Sequence, residues 1–343
     1  MFPGARSTPA VLAAAFAACA GPPLARFEYA EPHMGTEFRV VLYAPYRSAA
    51  EDAAREAFER IAALDRAFSD YDPSSELERL GARSDEAAPT EPLAVSPELE
   101  RVLVLSQELA RASGGAFDVT VGPFVRQWRR ARRLSEAPER AGLAEVASAV
   151  GYAKLELLGG GRVRLLAPHM RLDLGGIAKG FALDEARAVL AARGLERVLL
   201  VGGGDVLAGA PPPGRAAWRI ELVGLDGTAG PRETVELARA AVSTSGDLER
   251  FLELDGVRYS HIVDPRTGEA LTERRLASVV APSSALADGL ATALVVLEPR
   301  AGLELAASRP GVEARILAQR GARTDLFRST GFPPPLSSVA STP

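Results

Sequence analysis

The sequence is poor in residue types that support several common classes of protein. Cysteine occurs only at Cys19, so the chain contains no internal disulfide. A chain of 343 residues can bury a large core without such cross-links, and its length fits one or two domains. The net charge of −4 argues against a nucleic-acid partner, because such partners require a basic surface. Lysine is nearly absent, and no internal repeat is found.

Apolar runs long enough to cross a membrane are also missing near the N-terminus. The apolar run at residues 10–20 is shorter than the roughly 20 residues that span a bilayer. It follows Arg6, the only basic residue ahead of it, and fits the hydrophobic region of a secretory signal peptide. We therefore expect an exported protein whose signal peptide covers residues 1–19.

The end of this run bears on how the exported protein is held. Small residues precede Cys19 and resemble the lipobox of bacterial lipoproteins, in which the cysteine is lipidated and becomes the mature N-terminus. Phe16 departs from that pattern, since leucine is usual at its position. We expect a lipid anchor on Cys19 that holds the protein on the membrane, facing the periplasm. Simple cleavage, retention as an uncleaved anchor and a cytoplasmic protein are the alternatives.

Beyond the signal, residues 27–330 are predicted to form a single domain, and the proline- and serine-rich tail at 331–343 is predicted to be disordered. Strands are predicted from alternating apolar residues and helices from apolar residues at helical spacing. Several strands follow one another in the second half, which favours an α+β fold with a largely antiparallel sheet. Predicted strands cover 37–44, 197–201, 206–208, 218–224, 232–242, 251–254, 258–262 and 277–281; predicted helices cover 51–69, 180–193, 284–297 and a segment that begins at Ser96-Pro97 and stops at Gly114-Gly115.

The first segment with chemical character runs from Asp173 to Lys179. A strand ends in an acid, Gly175 and Gly176 turn the chain, and a helix begins with a lysine in its first turn. Helix-start N–H groups attract phosphate, and a lysine at this positive helix end is unfavourable unless an anion is nearby. The segment therefore fits an anionic ligand. A plain strand–turn–helix connection with an exposed lysine is the alternative.

A second segment pairs an acid with a hydroxyl. Asp288 and Thr292 lie four residues apart in a predicted helix and share one face. Carboxylate and hydroxyl oxygens are hard ligands of the kind that Mg²⁺ prefers. A buried, unpaired carboxylate in an apolar helix is costly, which favours a metal role. The alternative is an acid in the first helical turn, with Thr292 bonding back to a carbonyl.

Two further segments contain candidate functional residues. His261 lies near the end of the strand predicted for 258–262, ahead of the turn at 264–268, and a histidine there could move protons near neutral pH. A structural or exposed histidine is the alternative, and the turn itself could be no more than a turn. The glycine-rich sequence at 201–205 lacks the G-x-G-x-x-G spacing and a following helix, which excludes a Rossmann dinucleotide site.

Taken together and in this order, the segments closely resemble the ApbE family of FAD:protein FMN transferases over about residues 33 to 300. The resemblance implies an ApbE-like (T-fold-like) architecture with a flavin site along one side of the sheet. The segments that carry it are Met34-Gly35-Thr36, Tyr71 with Ser75-Glu76-Leu77, Gly115-Ala116-Phe117-Asp118, residues 173–180, Gly203-Gly204-Asp205, Ser245-Gly246-Asp247, residues 261–268 and residues 288–292.

The resemblance also implies roles for individual residues. Mg²⁺ would be bound by Asp288, Thr292 and a backbone carbonyl in the glycine turn, which we assign to Gly176. His261 matches a histidine implicated near the transferred phosphate, and Asp173 and Lys179 are further candidate catalytic residues. The positions that match FAD contacts are Met34, Tyr71, Ala116, Phe117, Asp118, Asp173, Lys179 and Ile262.

The implied reaction moves FMN from FAD to a threonine or serine hydroxyl of an acceptor protein and releases AMP. A metal and a cation would stabilise the charge that develops on the phosphate oxygens. Because a free hydroxyl is a poor nucleophile, a base is expected, with His261, Asp173 and Asp264 as candidates. Hydrolysis of FAD to FMN and AMP by water, and a flavin-binding lipoprotein without catalysis, are the alternatives.

The resemblance leaves the identity of the acceptor open. It implies a membrane redox-pump subunit or an exported flavoprotein that carries a short motif with a serine or threonine. This sequence departs from the common family pattern in the proline-rich loop at 211–213 and in the basic stretch after Pro123. The basic cluster at 129–133 is interpreted as a solvated helix face and not as a binding patch.

Overall fold

The computed structural model describes residues 22–226, 233–246 and 251–336. The predicted signal peptide with Cys19, Asp247 and tail residues 337–343 lie outside the described residues. The strands in chain order are β1 (Ala25–His33), β2 (Thr36–Ala44), β3 (Leu93–Ala94), β4 (Leu155–Leu157), β5 (Arg162–Leu165), β6 (Val198–Gly202), β7 (Asp205–Ala208), β8 (Trp218–Leu222), β9 (Glu233–Leu237), β10 (Ala240–Gly246), β11 (Phe251–Leu254), β12 (Val257–Ser260), β13 (Arg275–Ala281), β14 (Glu313–Arg320) and β15 (Arg323–Arg328). The helices are α1 (Arg47–Phe68), α2 (Glu76–Glu86), α3 (Pro97–Ala112), α4 (Gly122–Leu134), α5 (Arg140–Ala147), α6 (Ala178–Ala192), α7 (Ser284–Val296) and α8 (Pro299–Ala307).

A single eight-stranded sheet, in the order β1-β2-β6-β7-β10-β13-β14-β15, dominates the fold. Every neighbouring pair in it is antiparallel. The predicted α+β class with a largely antiparallel sheet is confirmed. Smaller sheets join β3-β5-β4, β8-β9 and β11-β12.

The two faces of the large sheet bury different side chains, because successive strand residues point to opposite faces. Val40 and Leu42 of β2 belong to the main core, whereas Val41 between them belongs to a second core on the other face. Helices α1, α6 and α7 supply much of the main core, and the β8–β9 hairpin covers the second face with residues such as Trp218.

Helix α4 forms a third, smaller core with the chain around β11 and β12. Phe124 and Trp128 of α4 pack there with Leu252 and Val263. The indole Nε1 of Trp128 donates a hydrogen bond to the carbonyl of Gly268 at 2.9 Å. This contact fixes α4 against the loop that follows His261.

Helices α6 and α7 approach each other closely, and this pair positions the candidate site. A Cβ added to Gly180 of α6 would lie 2.8 Å from the Cβ of Asp288 in α7, so only glycine fits there. Asp184 of α6 accepts hydrogen bonds from the backbone N–H groups of Ser284 and Ala285 at 2.9 Å each. It thereby satisfies donors that are otherwise unpaired at the start of α7.

Most predicted elements occur close to the predicted bounds, but the single strand predicted for 232–242 is wrong. The strand predicted to end in Asp173 is also wrong, because residues 171–174 belong to no strand. β9 ends at Leu237 and β10 begins at Ala240, with a turn between them in which Arg239 has a φ of 53°. The first predicted helix begins earlier than expected, at Arg47. None of the helices in the described ranges combines the length and apolarity needed to cross a bilayer.

Candidate active site

A buried cluster of opposite charges lies where α6, α7 and the β6–β7 turn meet. The Nζ atom of Lys179 lies 3.3 Å from Oδ2 of Asp288 and 3.4 Å from Oδ2 of Asp205. The two acid side chains are 2% and 1% exposed, whereas that of Lys179 is 25% exposed. The backbone N–H of Gly180 donates to Asp288 at 3.1 Å. The protein itself therefore supplies the negative charge opposite Lys179. Contact between Lys179 and a ligand phosphate stays a prediction.

Oxygen atoms of three further residues face one another beside this cluster. Thr292 Oγ1 lies 3.5 Å from the carbonyl oxygen of Gly176 and 3.3 Å from Ser245 Oγ. Asp288 is the fifth residue of α7, one turn before Thr292. It therefore lies beyond the first turn, contrary to the alternative in which it interacts with the helix dipole. Of the three predicted metal ligands, Thr292 and Gly176 are therefore in contact, and Asp288 lies one turn earlier on α7 with its carboxylate on Lys179 and Gly180 N; metal binding by the three stays a prediction.

Asp173 connects this place to a second polar group. Its Oδ1 accepts from Gly175 N at 2.7 Å, and its Oδ2 lies 3.1 Å from Nη2 of Arg129. Arg129 also binds Asp70, and its guanidinium carbon lies 4.5 Å from the ring centroid of Tyr71. The interpretation of 129–133 as a solvated face is therefore wrong for Arg129, whose side chain is 18% exposed.

Burial and neighbouring charges shift the ionisation of these groups. Burial, together with the Asp288 carboxylate, raises the pKa of Asp205 to about 7, against the opposing effect of Lys179. Burial alone would lower the pKa of Lys179, but the carboxylates of Asp205 and Asp288 raise it above its ordinary value. Burial and the nearby Asp173 carboxylate also raise the pKa of Asp70. Lys179 is thus a permanent cation in this cluster.

The predicted contact Met34 lies in the tight turn between β1 and β2. Met34 and Gly35 have φ values of 49° and 72°, and the N–H of Met34 donates to Oδ2 of Asp65 at 2.9 Å. Next to the turn, a Cβ added to Gly203 would lie 3.5 Å from the Thr36 side chain and 3.7 Å from Cδ of Lys179. The turn therefore ends at the edge of the charged cluster.

The predicted contacts Ala116, Phe117 and Asp118 lie between α3 and α4 and are buried. Phe117 belongs to the main core. The Asp118 carboxylate accepts from the backbone N–H and the hydroxyl of Thr120 at 2.8 and 2.7 Å, and burial raises its pKa. All three residues help to shape the chain that leads into α4, and their contact with FAD stays a prediction.

His261 and Ile262 lie at the start of the loop between β12 and β13, and both are partly buried. The carbonyl of Ile262 accepts from Leu271 N at 3.0 Å, which closes this loop. The Asp264 carboxylate accepts from Arg266 Nε at 2.9 Å and from Arg266 Nη2 at 2.7 Å. The Asp264 carboxylate therefore stabilises this turn through Arg266. A role for His261 in proton transfer stays a prediction.

The sequence motifs included Asp205 and Ser245 without assigning either a contact. They placed Arg129 only in a surface cluster and gave Asp70 no role. An acid directly after three glycines, at the start of a short strand, was the available signal for Asp205. Among the residues that the structure describes, no group of three or more His, Cys, Asp and Glu side chains is placed to bind a metal ion. The candidate ligands around Asp288 are instead one carboxylate, hydroxyls and a carbonyl.

Comparison with known proteins agrees with this fold. The profile of the ApbE family matches residues 34–316, and the chain belongs to this family. It is 34% identical over 307 residues to the FAD:protein FMN transferase of Treponema pallidum (strain Nichols), covering 84% of this chain and 83% of that protein. It is 30% identical over 274 residues to the FAD:protein FMN transferase of Klebsiella pneumoniae (strain 342), covering 78% and 77%.

Solved structures give the same result. The flavin transferase ApbE from Vibrio cholerae superposes with a TM-score of 0.81 at 28% identity, covering 90% of this chain and 99% of that one. The apo form of the flavinyl transferase ApbE from Pseudomonas stutzeri gives 0.78 at 28% identity, covering 90% and 96%. The family and the ApbE-like fold predicted from the sequence are confirmed.

Proposed function

We propose that this chain is an Mg²⁺-dependent FAD:protein FMN transferase that attaches FMN to a threonine or serine of an acceptor flavoprotein. Relatives that match most of the chain are named FAD:protein FMN transferase. The observation that carries the proposal is the distance of 3.5 Å between Thr292 Oγ1 and the Gly176 carbonyl oxygen, with Asp288 one turn earlier on the same helix as Thr292.

These residues fit a magnesium ion. A carboxylate, a hydroxyl and a backbone carbonyl are the hard oxygen donors that Mg²⁺ prefers, and Ser245 Oγ adds a fourth oxygen nearby. A Cβ on Gly176 would lie 2.9 Å from Thr292 Oγ1 and fill the space between them. Bound there, Mg²⁺ supplies positive charge to the pyrophosphate of FAD.

The other residues would act on the acceptor and the leaving group. The acceptor oxygen attacks the phosphorus of the FMN half, the bond from that phosphorus to the bridging oxygen breaks, and AMP leaves with the bridging oxygen. Lys179 adds positive charge beside the phosphates. Pairing with arginine makes the carboxylates of Asp173 and Asp264 weaker bases, and an imidazole can take a proton near neutral pH, so His261 is the proposed group that takes the acceptor proton.

The test is incubation of the purified protein with FAD, MgCl₂ and an exported flavoprotein subunit from its host, followed by in-gel flavin fluorescence. A fluorescent acceptor band that needs both FAD and Mg²⁺ is expected. Reactions without acceptor are analysed for AMP. AMP release at a rate unaffected by acceptor would replace the proposal with FAD pyrophosphatase activity, and FAD binding without AMP or fluorescence would indicate a binding protein.

We further propose that the protein works outside the cytoplasm, anchored by a lipid on Cys19. An apolar segment with small residues before the cysteine supports this. Mass spectrometry of the mature N-terminus should find a lipidated Cys19, and Cys19→Ala should release the protein from the membrane fraction. A membrane-bound Cys19→Ala protein would contradict the anchor.

A further inference from the structure

Arg129 contacts both Asp173 and the segment Asp70-Tyr71, which lie far apart in the sequence. Its guanidinium binds Asp70, lies 3.1 Å from Oδ2 of Asp173 and lies 4.5 Å from the centroid of the Tyr71 ring. The side chains of the two acids are 16% and 10% exposed, so both carboxylates need this cation in the folded protein. One side chain thus makes ionic contacts with two acids and a cation–π contact with a tyrosine.

The backbone that carries Arg129 is held from two sides. Its neighbour Trp128 donates to the Gly268 carbonyl at 2.9 Å. At the start of α4, a Cβ on Gly122 would lie 2.6 Å from the carbonyl oxygen of Arg171, two residues before Asp173. The helix therefore has little freedom to slide along the chain that ends in Asp173, and the guanidinium is delivered to a fixed place.

Tyr71 is much more exposed to solvent than Arg129, the residue on which its ring packs. It is 74% exposed, yet its ring packs on a guanidinium that is itself largely buried. An exposed aromatic ring supported from one side offers its remaining surface to a planar aromatic molecule. Because Arg129 already holds the Tyr71 ring in the free protein, less conformational entropy is lost when a ligand binds.

We propose that Arg129 is a positioning residue of the dinucleotide site. It fixes the Tyr71 ring and the Asp173 carboxylate together, so that a planar ring of FAD meets a preformed stacking surface. Because the N–H of Gly175 donates to the Asp173 carboxylate, the same contact stabilises the glycine turn that carries Gly176. This inference rests on the proposed function, because it assumes that FAD is the ligand.

The experiment compares FAD affinity, in the presence of MgCl₂, for the wild type, Arg129→Ala, Arg129→Lys and Tyr71→Ala. Arg130→Ala is the matched control, since Arg130 is the next residue on α4 and is exposed. We expect Arg129→Ala to weaken FAD binding about tenfold, or about 1.4 kcal/mol, and Arg130→Ala to leave it unchanged. The effects of Arg129→Ala and Tyr71→Ala should not add in the double variant, because both remove one stacking surface.

Two smaller probes identify the ring that stacks. FMN carries only the isoalloxazine and ADP only the adenine, so a loss confined to one of them shows which ring meets Tyr71. If Arg129→Ala lowers the melting temperature but binds FAD, FMN and ADP like the wild type, Arg129 is only structural and the inference is wrong. If Arg129→Ala does not fold, Arg129→Lys decides in the same way, since it keeps the charge but loses the planar group.

Failure of this inference is distinguishable from failure of the proposed function. A wild-type protein that ignores FAD in the presence of MgCl₂ contradicts both. A wild-type protein that binds FAD and transfers FMN, together with an Arg129→Ala variant that does so equally well, contradicts only the positioning role.

Discussion

Thr292 in α7 and Gly176 in the turn before α6 place a hydroxyl and a carbonyl oxygen 3.5 Å apart, although 116 positions separate them in the chain. Two oxygens this close gain little from each other unless a hydrogen bond or a cation lies between them. The Asp288 carboxylate lies one helical turn away on the same helix. The arrangement makes the helix pair, and not one motif alone, responsible for the proposed metal site.

Removing either side-chain oxygen should weaken the response to magnesium. Thr292→Val keeps the shape of the side chain but loses the hydroxyl, and Asp288→Asn loses the charge. Because changes even behind metal ligands lower affinity or activity roughly 10–100-fold, at least that loss is expected in FMN transfer. The measurement is transfer rate against Mg²⁺ concentration. Thr324→Val, on the exposed face of β15, is the control and should behave like the wild type.

Removing the cation of the charged cluster should destabilise the protein most when divalent metal is absent. Lys179→Met leaves Asp205 and Asp288 buried without their common partner. Breaking a buried ion pair typically costs about 3–5 kcal/mol, and added Mg²⁺ should recover part of it by replacing the lost charge. Thermal unfolding with EDTA and with MgCl₂ measures both values. An equal loss under the two conditions would show that the metal does not bind beside these acids.

Adding one methyl group between α6 and α7 should separate the helices. In Gly180→Ala the new Cβ would lie 2.8 Å from Cβ of Asp288, and we expect a loss of roughly 1–3 kcal/mol in unfolding free energy. The Mg²⁺ concentration for half-maximal transfer should rise as Asp288 moves. Gly142→Ala is the control, because no atom beyond its chain neighbours and the backbone of its own helix lies within 4 Å of the added Cβ. As a helical position, it should gain slightly in stability.

Asp184 should make a measurable contribution to the pH dependence of stability. Burial raises its pKa in the folded protein above the ordinary value of 3.8, despite hydrogen bonds from Ala285 and Ser284. Its titration therefore favours the folded state fully below about 3.8, and this contribution is lost as pH rises through the raised pKa.

Asp184→Asn does not titrate, so it isolates this effect. The unfolding free energy of the wild type should fall relative to that of the variant as pH rises through this window, whatever the offset between them. Urea unfolding at a series of pH values, from about 3 to about 7, measures the difference. A difference that stays constant across the series would contradict the raised pKa.

His261→Ala should separate binding from chemistry. If His261 takes the acceptor proton, transfer should fall roughly 10²–10⁴-fold while FAD affinity stays unchanged. Stopped-flow or gel-based transfer rates at saturating FAD, with a separate FAD titration, provide the two quantities. His169→Ala is the matched control, since its side chain is 77% exposed and pairs with Asp85 on the surface. A full transfer rate in His261→Ala would remove His261 from this role.

Local sequence patterns predicted the helices and strands whose ends are marked by capping or turn residues. Ser96 accepts from Leu99 N at 3.2 Å at the start of α3, as the Ser-Pro sequence indicated. β1 was missed because most of its residues are exposed at the sheet edge, so the alternation that reveals a strand is weak. The turn at Arg239 was missed since it interrupts a run of strand-forming residues without glycine or proline.

The candidate site also contains some residues that the sequence predicted and others that only the structure identified. Resemblance predicted Gly176, Asp288 and Thr292 as metal ligands. The structure shows the Thr292–Gly176 contact with Asp288 one helical turn earlier, and metal binding stays a prediction. It could not supply the ionic partners Asp205 and Arg129, because their contacts depend on how distant elements pack. Arg129 lies in a run of basic residues that is typical of a surface, and only tertiary structure shows that it points inward.

The order of the strands in the large sheet has a consequence during synthesis. β2 pairs with β6, Phe38 opposite Gly202, and β6–β7 is followed in space by β10 and β13. α7, which brings Asp288 and Thr292, comes after all of these strands in the chain. A nascent chain that still lacks α7 has neither of these two oxygen donors, so the proposed metal site can be completed only after this late helix has been synthesised.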